Sequence, residues 1–167
     1  MSALAADRAM DVRHAESAAD IEVVRGLFLE YAASLGFDLA FQDFESEVTS
    51  LPGNYAPPRG ALLVAMDGAT PAGCIALRPW GDADTCEMKR LYVRPAMRGK
   101  RVGASLVARV LDEARARGYR RMRLDTVPGM EAAIALYRSA GYTDIPRFGE
   151  YVPIAVSLCF EKRLHVG

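Results

Sequence analysis

The sequence predicts one layered domain of the α/β (α+β) class, built on a mixed sheet. Residues 61–93 hold three short apolar or alternating runs broken by turn residues, as in a hairpin-rich sheet. Residues 85–145 then alternate strand-period and helix-period segments in β-α-β-α-β order. At 167 residues, with 51% hydrophobic and 25% charged residues, the chain suits a single domain spanning 1–167, with residues 1–10 as a flexible lead-in.

Asp11–Ala15 is placed to be a short first strand. Ala18–Leu35 carries a helical stripe through Asp20, Ile21, Val24, Leu27, Phe28 and Tyr31, and Gly36 is positioned to end it. Phe44–Leu51 reads as a short second helix, and Pro52, Gly53, Pro57, Pro58 and Gly60 make a loop. Ala61–Met66 is an apolar run of strand length, Asp67-Gly68 signals a hairpin, and Gly73–Arg78 returns. Thr85–Val93 alternates, with Glu87, Lys89, Leu91 and Val93 on one face and Met88, Arg90 and Tyr92 on the other; Pro95 stops it. Val102, Leu106, Val110 and Ala114 line one face of the next helix, which Gly118 ends. Arg121–Thr126 reads as a strand with Met122 and Leu124 inward. Pro128 and Gly129 precede a helix from about Met130 to Ala140, with Gly141 as its C-terminal cap. Tyr142–Ile145 and Pro153–Glu161 close the sheet. The closing strand, if exposed, could pair with a second chain and make a homodimer.

No apolar run reaches membrane-spanning length, and the start MSALAADRAMD lacks the pattern of a signal peptide, so a cytoplasmic protein is expected. Cys74, Cys86 and Cys159 match neither a disulfide framework nor a metal site and read as buried small hydrophobes. His14 and His165 have no patterned partner. The zero net charge is unevenly placed: residues 1–88 hold 5 Lys/Arg against 14 Asp/Glu, a net of −9, whereas residues 89–123 hold 12 against 2, a net of +10. One basic block in a neutral chain points to a single anionic ligand rather than to nucleic acid, although Arg109, Arg115 and Arg117 also suit a solvated helix face.

The block contains a turn, Arg98-Gly99-Lys100-Arg101-Val102-Gly103-Ala104, between an alternating strand and an amphipathic helix. A helix start exposes backbone N–H groups that bind anions, the glycines let a ligand approach, and the cations add charge-assisted hydrogen bonds. A diphosphate is the natural guest. No Gly-Lys-Ser/Thr closes the turn as in a P-loop, and the dinucleotide G-x-G-x-x-G pattern is absent.

This turn resembles the acyl-coenzyme A diphosphate motif, Gln/Arg-x-x-Gly-x-Gly/Ala, of the GCN5-related N-acetyltransferase (GNAT) superfamily. Arg98, Gly103 and Ala104 match, while Arg101 replaces the first motif glycine, which is compatible with ordinary helical dihedrals there. The segment Ala133–Tyr142 (AIALYRSAGY) is similar to the family's C-terminal cofactor motif, and Met130 stands where many members carry an asparagine. The two motifs occur in order on the expected elements, and the resemblance covers nearly the whole chain. It implies a mixed, mostly antiparallel central sheet flanked by helices, acetyl-CoA as cofactor, and acetyl transfer to a small-molecule or peptide amine in a ternary complex.

Acetyl transfer to an amine needs a neutral nucleophile, donors for the oxyanion and a proton for the departing thiolate. By resemblance Tyr137 faces the coenzyme sulfur as the acid; Ile134, Tyr137 and Ala140 also share a helix face that suits the core. Glu87 is the candidate base, and an ion pair with Lys89 or Arg90 is its structural alternative. Leu91, Tyr92 and Val93 would present backbone to the pantetheine arm, and Arg98, Gly99, Lys100, Arg101, Val102, Gly103 and Ala104 would hold the diphosphate. In this family a bulge commonly interrupts that strand; the sequence shows no sign of one. Tyr31, Phe37, Phe41, Tyr55, Arg147, Phe148 and Tyr151 are candidates for the acceptor side, and the −9 half suggests a cationic acceptor. Two rivals are a non-catalytic acyl-CoA-binding sensor module, favoured by Met130 and Arg101, and a nucleic-acid binder using the basic block.

Overall fold

In the computed structural model, residues 10–35, 43–127, 129–146 and 158–165 are described. Ser17 caps the first helix by accepting a hydrogen bond from the Asp20 N–H at 3.1 Å. The elements are β1 (Asp11–His14), α1 (Ala18–Ser34), α2 (Phe44–Thr49), β2 (Ala61–Asp67), β3 (Thr70–Pro79), β4 (Thr85–Val93), α3 (Val102–Ala116), β5 (Arg121–Thr126), α4 (Glu131–Ser139), β6 (Thr143–Ile145) and β7 (Leu158–Arg163). The expected elements form with small changes of boundary: β3 is longer at both ends, and β7 runs to Arg163. Gly36, Phe37, Phe41, Pro128, Arg147, Phe148, Tyr151 and Pro153 lie outside the described residues.

The strands make one seven-stranded sheet in the order β1-β2-β3-β4-β5-β7-β6. Every pairing is antiparallel except β4 with β5. Helix α3 is the crossover that makes that parallel pair possible, because parallel neighbours need a long connection. Strand β7 lies between β5 and β6, pairing with β6 over Cys159–Glu161; among the described residues the edge strands are β1 and the three-residue β6. Of the two closing strands, β6 is the one at the sheet edge.

Each face of the sheet has its own core. Leu106, Val110 and Ala114 of α3 pack with Leu63, Ile75, Met122, Leu124 and Phe160 on one face. Val24, Leu27 and Phe28 of α1 pack with Val64, Cys74 and Tyr55 on the other. The three cysteines are buried and form no disulfide. No described helix is long and apolar enough to cross a membrane.

Two features of the sheet position a site. First, β4 and β5 pair only over Thr85–Glu87 and Arg121–Arg123, after which they part. Second, β4 carries a bulge. Its register against β3 jumps from Ala76–Lys89 to Cys74–Tyr92, so Arg90 and Leu91 together oppose Ile75. Arg90 sits at φ +60°. The bulge corrects the alternation read from the sequence. Leu91 and Val93 join Met88 and Cys86 on the α3 face, opposite Glu87 and Lys89, and Tyr92 moves to the α1 face. One inserted residue reverses the face of every residue that follows it.

Candidate active site

Where β4 and β5 part, a groove of about 950 Å3 opens. Its β4 wall is Leu91, Tyr92 and Val93. Its floor is the turn and first residues of α3, through Arg98, Gly99, Arg101, Val102, Gly103 and Ala104. Val127, Gly129, Met130, Ala133 and Leu136 close the β5–α4 side, and Tyr31, Ser34 and Leu35 of α1 the rim. The groove thus gathers most of the expected cofactor-binding residues. Lys100 is exposed and does not line it, and Tyr137 lies behind it in the core.

The turn is built to receive an anion. Ser105 N–H makes the first helical hydrogen bond, to the Arg101 carbonyl at 3.0 Å. The N–H groups of Val102, Gly103 and Ala104 consequently have no acceptor within the helix. A Cβ on Gly103 would press against Leu136 Cδ2 at 3.2 Å, so glycine is what lets α3 and α4 approach here. Arg98 and Arg101 pair with no carboxylate among the described residues; Arg98 Nε–H donates to the Val93 carbonyl at 3.3 Å. Arg101 departs from expectation: it holds φ 62°, ψ 21°, in the left-handed region and not in helical dihedrals. That conformation explains why a glycine suits this motif position. The donor set at the turn and the apolar walls beyond it fit a diphosphate attached to a long neutral arm. Met130 begins α4 with no side-chain cap, as a thioether must.

Most of the basic block serves the protein itself. Arg90 pairs with Glu47 at 2.8 Å, Arg94 with Glu30 at 2.7 Å, Arg121 with Asp82 at 3.0 Å and Arg123 with Glu161 at 2.8 Å. Arg109, Arg115 and Arg117 pair with acidic residues on α3; Arg109 and Arg117 are not a solvated face, since they also donate to the Val12 and Gly60 carbonyls. The +10 block therefore largely neutralises carboxylates of the same molecule, and with them part of the acidic half.

Glu87 and Tyr137 lie on opposite faces of the sheet, and neither lines the groove. Glu87 is fully buried, with Arg78 at 2.6 Å and Lys89 at 3.9 Å. Lys89 also lies 3.9 Å from Asp125 of β5; burial pulls its pKa down, against the two carboxylates. Tyr137 packs edge-on to Tyr142 at 5.8 Å and is held in the phenol form, its pKa raised by burial and then by the neighbouring Tyr31 and Asp125. Tyr31 and Asp125 thus stand near Tyr137, and Asp125 also near Lys89, at the gap between the strands. Tyr55 is buried under α1 and does not line the groove.

Sequence reading missed Asp125, and it named Lys89 and Arg90 only as ion-pair partners of Glu87, of which Lys89 is one. Asp125 and Lys89 come together across a gap that exists only once β4 and β5 diverge. Arg90 gave no signal, because a left-handed residue is legible in sequence when it is glycine and not when it is arginine.

Residues 27–142 match the family model described as "Acetyltransferase (GNAT) family". An uncharacterized N-acetyltransferase of Schizosaccharomyces pombe is 38% identical over 144 residues, covering 85% of this chain and 88% of its own. An IAA acetyltransferase of Azospirillum brasilense is 39% identical over 109 residues, covering 65% and 71%. A Salmonella typhimurium acetyltransferase structure, solved with acetyl-CoA, superposes with a TM-score of 0.69 at 23% identity, covering 96% of each chain. The chain belongs to this family. It is an acyltransferase that uses acetyl-CoA.

Proposed function

We propose that this member of the acetyltransferase (GNAT) family is an N-acetyltransferase that moves the acetyl group directly from acetyl-CoA to an amine in a ternary complex. The observation that carries the reading is the groove at the parting of β4 and β5. It joins a cationic helix N-terminus to an apolar channel; Glu87 and Tyr137 do not line it and are buried behind it. The N–H groups of Val102, Gly103 and Ala104, with Arg98 and Arg101, would hold the diphosphate. The backbone of Leu91–Val93, shifted by the bulge, would run beside the pantetheine arm. Bound acetyl-CoA supplies an activated acyl group as a thioester.

Glu87 accepts the amine's proton through a relay, since its carboxylate is fully buried and cannot meet the acceptor directly. Arg78 and Lys89 hold that carboxylate in place. Tyr137, kept protonated by burial, donates to the departing sulfur. No cysteine lies in either motif, which supports direct transfer over a covalent enzyme intermediate. The acceptor is a small-molecule or peptide amine, and a cytoplasmic enzyme suits three buried free thiols.

The test is release of coenzyme A thiol from acetyl-CoA across amino acids, polyamines, aminoglycosides and peptide N-termini. Stimulation by one class is the expected outcome, with kcat/KM falling at least tenfold in both Tyr137→Phe and Glu87→Gln. Unchanged kcat/KM in both variants on a true substrate would sink the assignment of roles.

A further inference from the structure

Helix α2 contributes no residue to the groove, yet one of its side chains holds the strand that builds it. Arg90 is the residue at the bulge, at φ +60° in the middle of a strand, where a side chain carries strain that glycine would not. Its guanidinium is buried and bidentate: Nε–H donates to Glu47 Oε2 at 2.8 Å and Nη2–H to Oε1 at 3.1 Å. The same group lies 5.1 Å from the ring of Phe44 in α2 and 5.9 Å from that of Tyr31 in α1. The Arg90 carbonyl accepts a hydrogen bond from Cys74 Sγ–H at 3.5 Å. Backbone and side chain are thus both tied, one to β3 and the other to α2.

The residues immediately after Arg90 are the β4 wall of the groove. We propose that Arg90 and Glu47 are a positioning pair: by holding the bulge, they fix the donor-binding backbone of Leu91–Val93, and so set the affinity for acetyl-CoA from a helix outside the groove. This rests on the groove being the acetyl-CoA site.

Removing one partner leaves a buried charge unpaired. Loss of the bulge relieves the strain at Arg90 and releases its side chain from the pocket. It also restores simple alternation, which swings Leu91 and Val93 away from the groove and puts Tyr92 in their place. A pair that only stabilised the fold would lower the melting temperature and leave binding by the folded protein unchanged.

The experiment is calorimetric titration of the whole chain with acetyl-CoA, with thermal melting alongside, for wild type, Glu47→Gln, Arg90→Lys, Arg90→Gly and the double variant Glu47→Gln/Arg90→Gly. Glu47→Gln and Arg90→Lys are expected to weaken binding about tenfold, as expected when directly coupled groups are parted. Arg90→Gly keeps the left-handed backbone without strain, so it loses less affinity than Arg90→Lys. Adding Glu47→Gln to Arg90→Gly then changes Kd no further, because the carboxylate has lost its partner. A Kd within twofold of wild type for folded Glu47→Gln would overturn the proposal. If that variant does not fold, Arg90→Gly decides: wild-type affinity overturns the pair's role, and weaker binding supports it. Wild type that fails to bind acetyl-CoA would overturn the groove assignment, and this inference with it.

Discussion

Arg101→Gly should make the protein more stable and a poorer binder of acetyl-CoA, and the two effects have separate causes. Arg101 precedes α3 at φ 62°, ψ 21°, with an exposed side chain. An L-residue in the left-handed region costs roughly 1–2 kcal/mol. Glycine removes that cost, but its freer unfolded chain returns about 0.4–1 kcal/mol. The net gain is about 0.5–1 kcal/mol, worth roughly 1–4 °C in melting temperature for a chain of this size. The guanidinium is also one of two cations on the groove with no carboxylate partner among the described residues. Its loss removes one exposed charge–phosphate contact of up to about 1 kcal/mol, or a rise of about fivefold in KM for acetyl-CoA. Arg101→Ala separates the terms, because it keeps the strain and loses the charge: stability near wild type, KM raised as in the glycine variant. Thermal melting and thiol-release kinetics on the three proteins are sufficient. A glycine variant that melts below wild type refutes the strain argument; an unchanged KM refutes the contact.

Other outcomes follow from single contacts. The Tyr55 hydroxyl is buried beside Glu47 without a hydrogen bond of full geometry, while its ring meets Phe28 edge-on at 6.1 Å. Tyr55→Phe should therefore gain about 1 kcal/mol in urea unfolding, and a loss of that size would reveal a hidden partner. A Cβ on Gly73 would collide with the Tyr92 carbonyl oxygen beside the bulge, so Gly73→Ala should cost about 1–3 kcal/mol; an unchanged urea midpoint would contradict that packing. Glu113 is pushed up by burial, but hydrogen bonds from Arg117 and Arg109 and the charge of His14 bring its pKa below the usual 4.5. Its stabilisation is thus fully present above about pH 4.5 and is lost as pH falls through the lowered folded value. Glu113→Gln should be less stable than wild type at pH 7, with the gap closing near pH 3; a gap of constant size across that range would refute the linkage.

The parts of the fold that were legible in sequence are those set by local period. Val102, Leu106, Val110 and Ala114 recur at helical spacing and are all buried; Met122 and Leu124 alternate and are fully buried. Gly118 and Gly141 end their helices at φ 81° and 94°, as their positions suggested. The bulge was hidden because its left-handed residue is an arginine with a stabilising partner 43 positions away, in Glu47. Local pattern carries no trace of a partner at that distance.

The charge pattern fails for the same reason and is instructive about the ligand. Summed along the chain, the −9 and +10 blocks suggested an anion site in one and a cationic acceptor for the other. The fold brings Glu30 to Arg94, Glu47 to Arg90 and Asp82 to Arg121, so part of each block is matched by the other. Exposed or half-buried pairs of this kind leave little net field beyond a screening length of about 8 Å. What steers a charged ligand is the surplus after pairing, at the place where it is left. At the groove that surplus is Arg98 and Arg101 beside the open N–H groups of α3. It is positive where a diphosphate would lie, which preserves the anion-site argument.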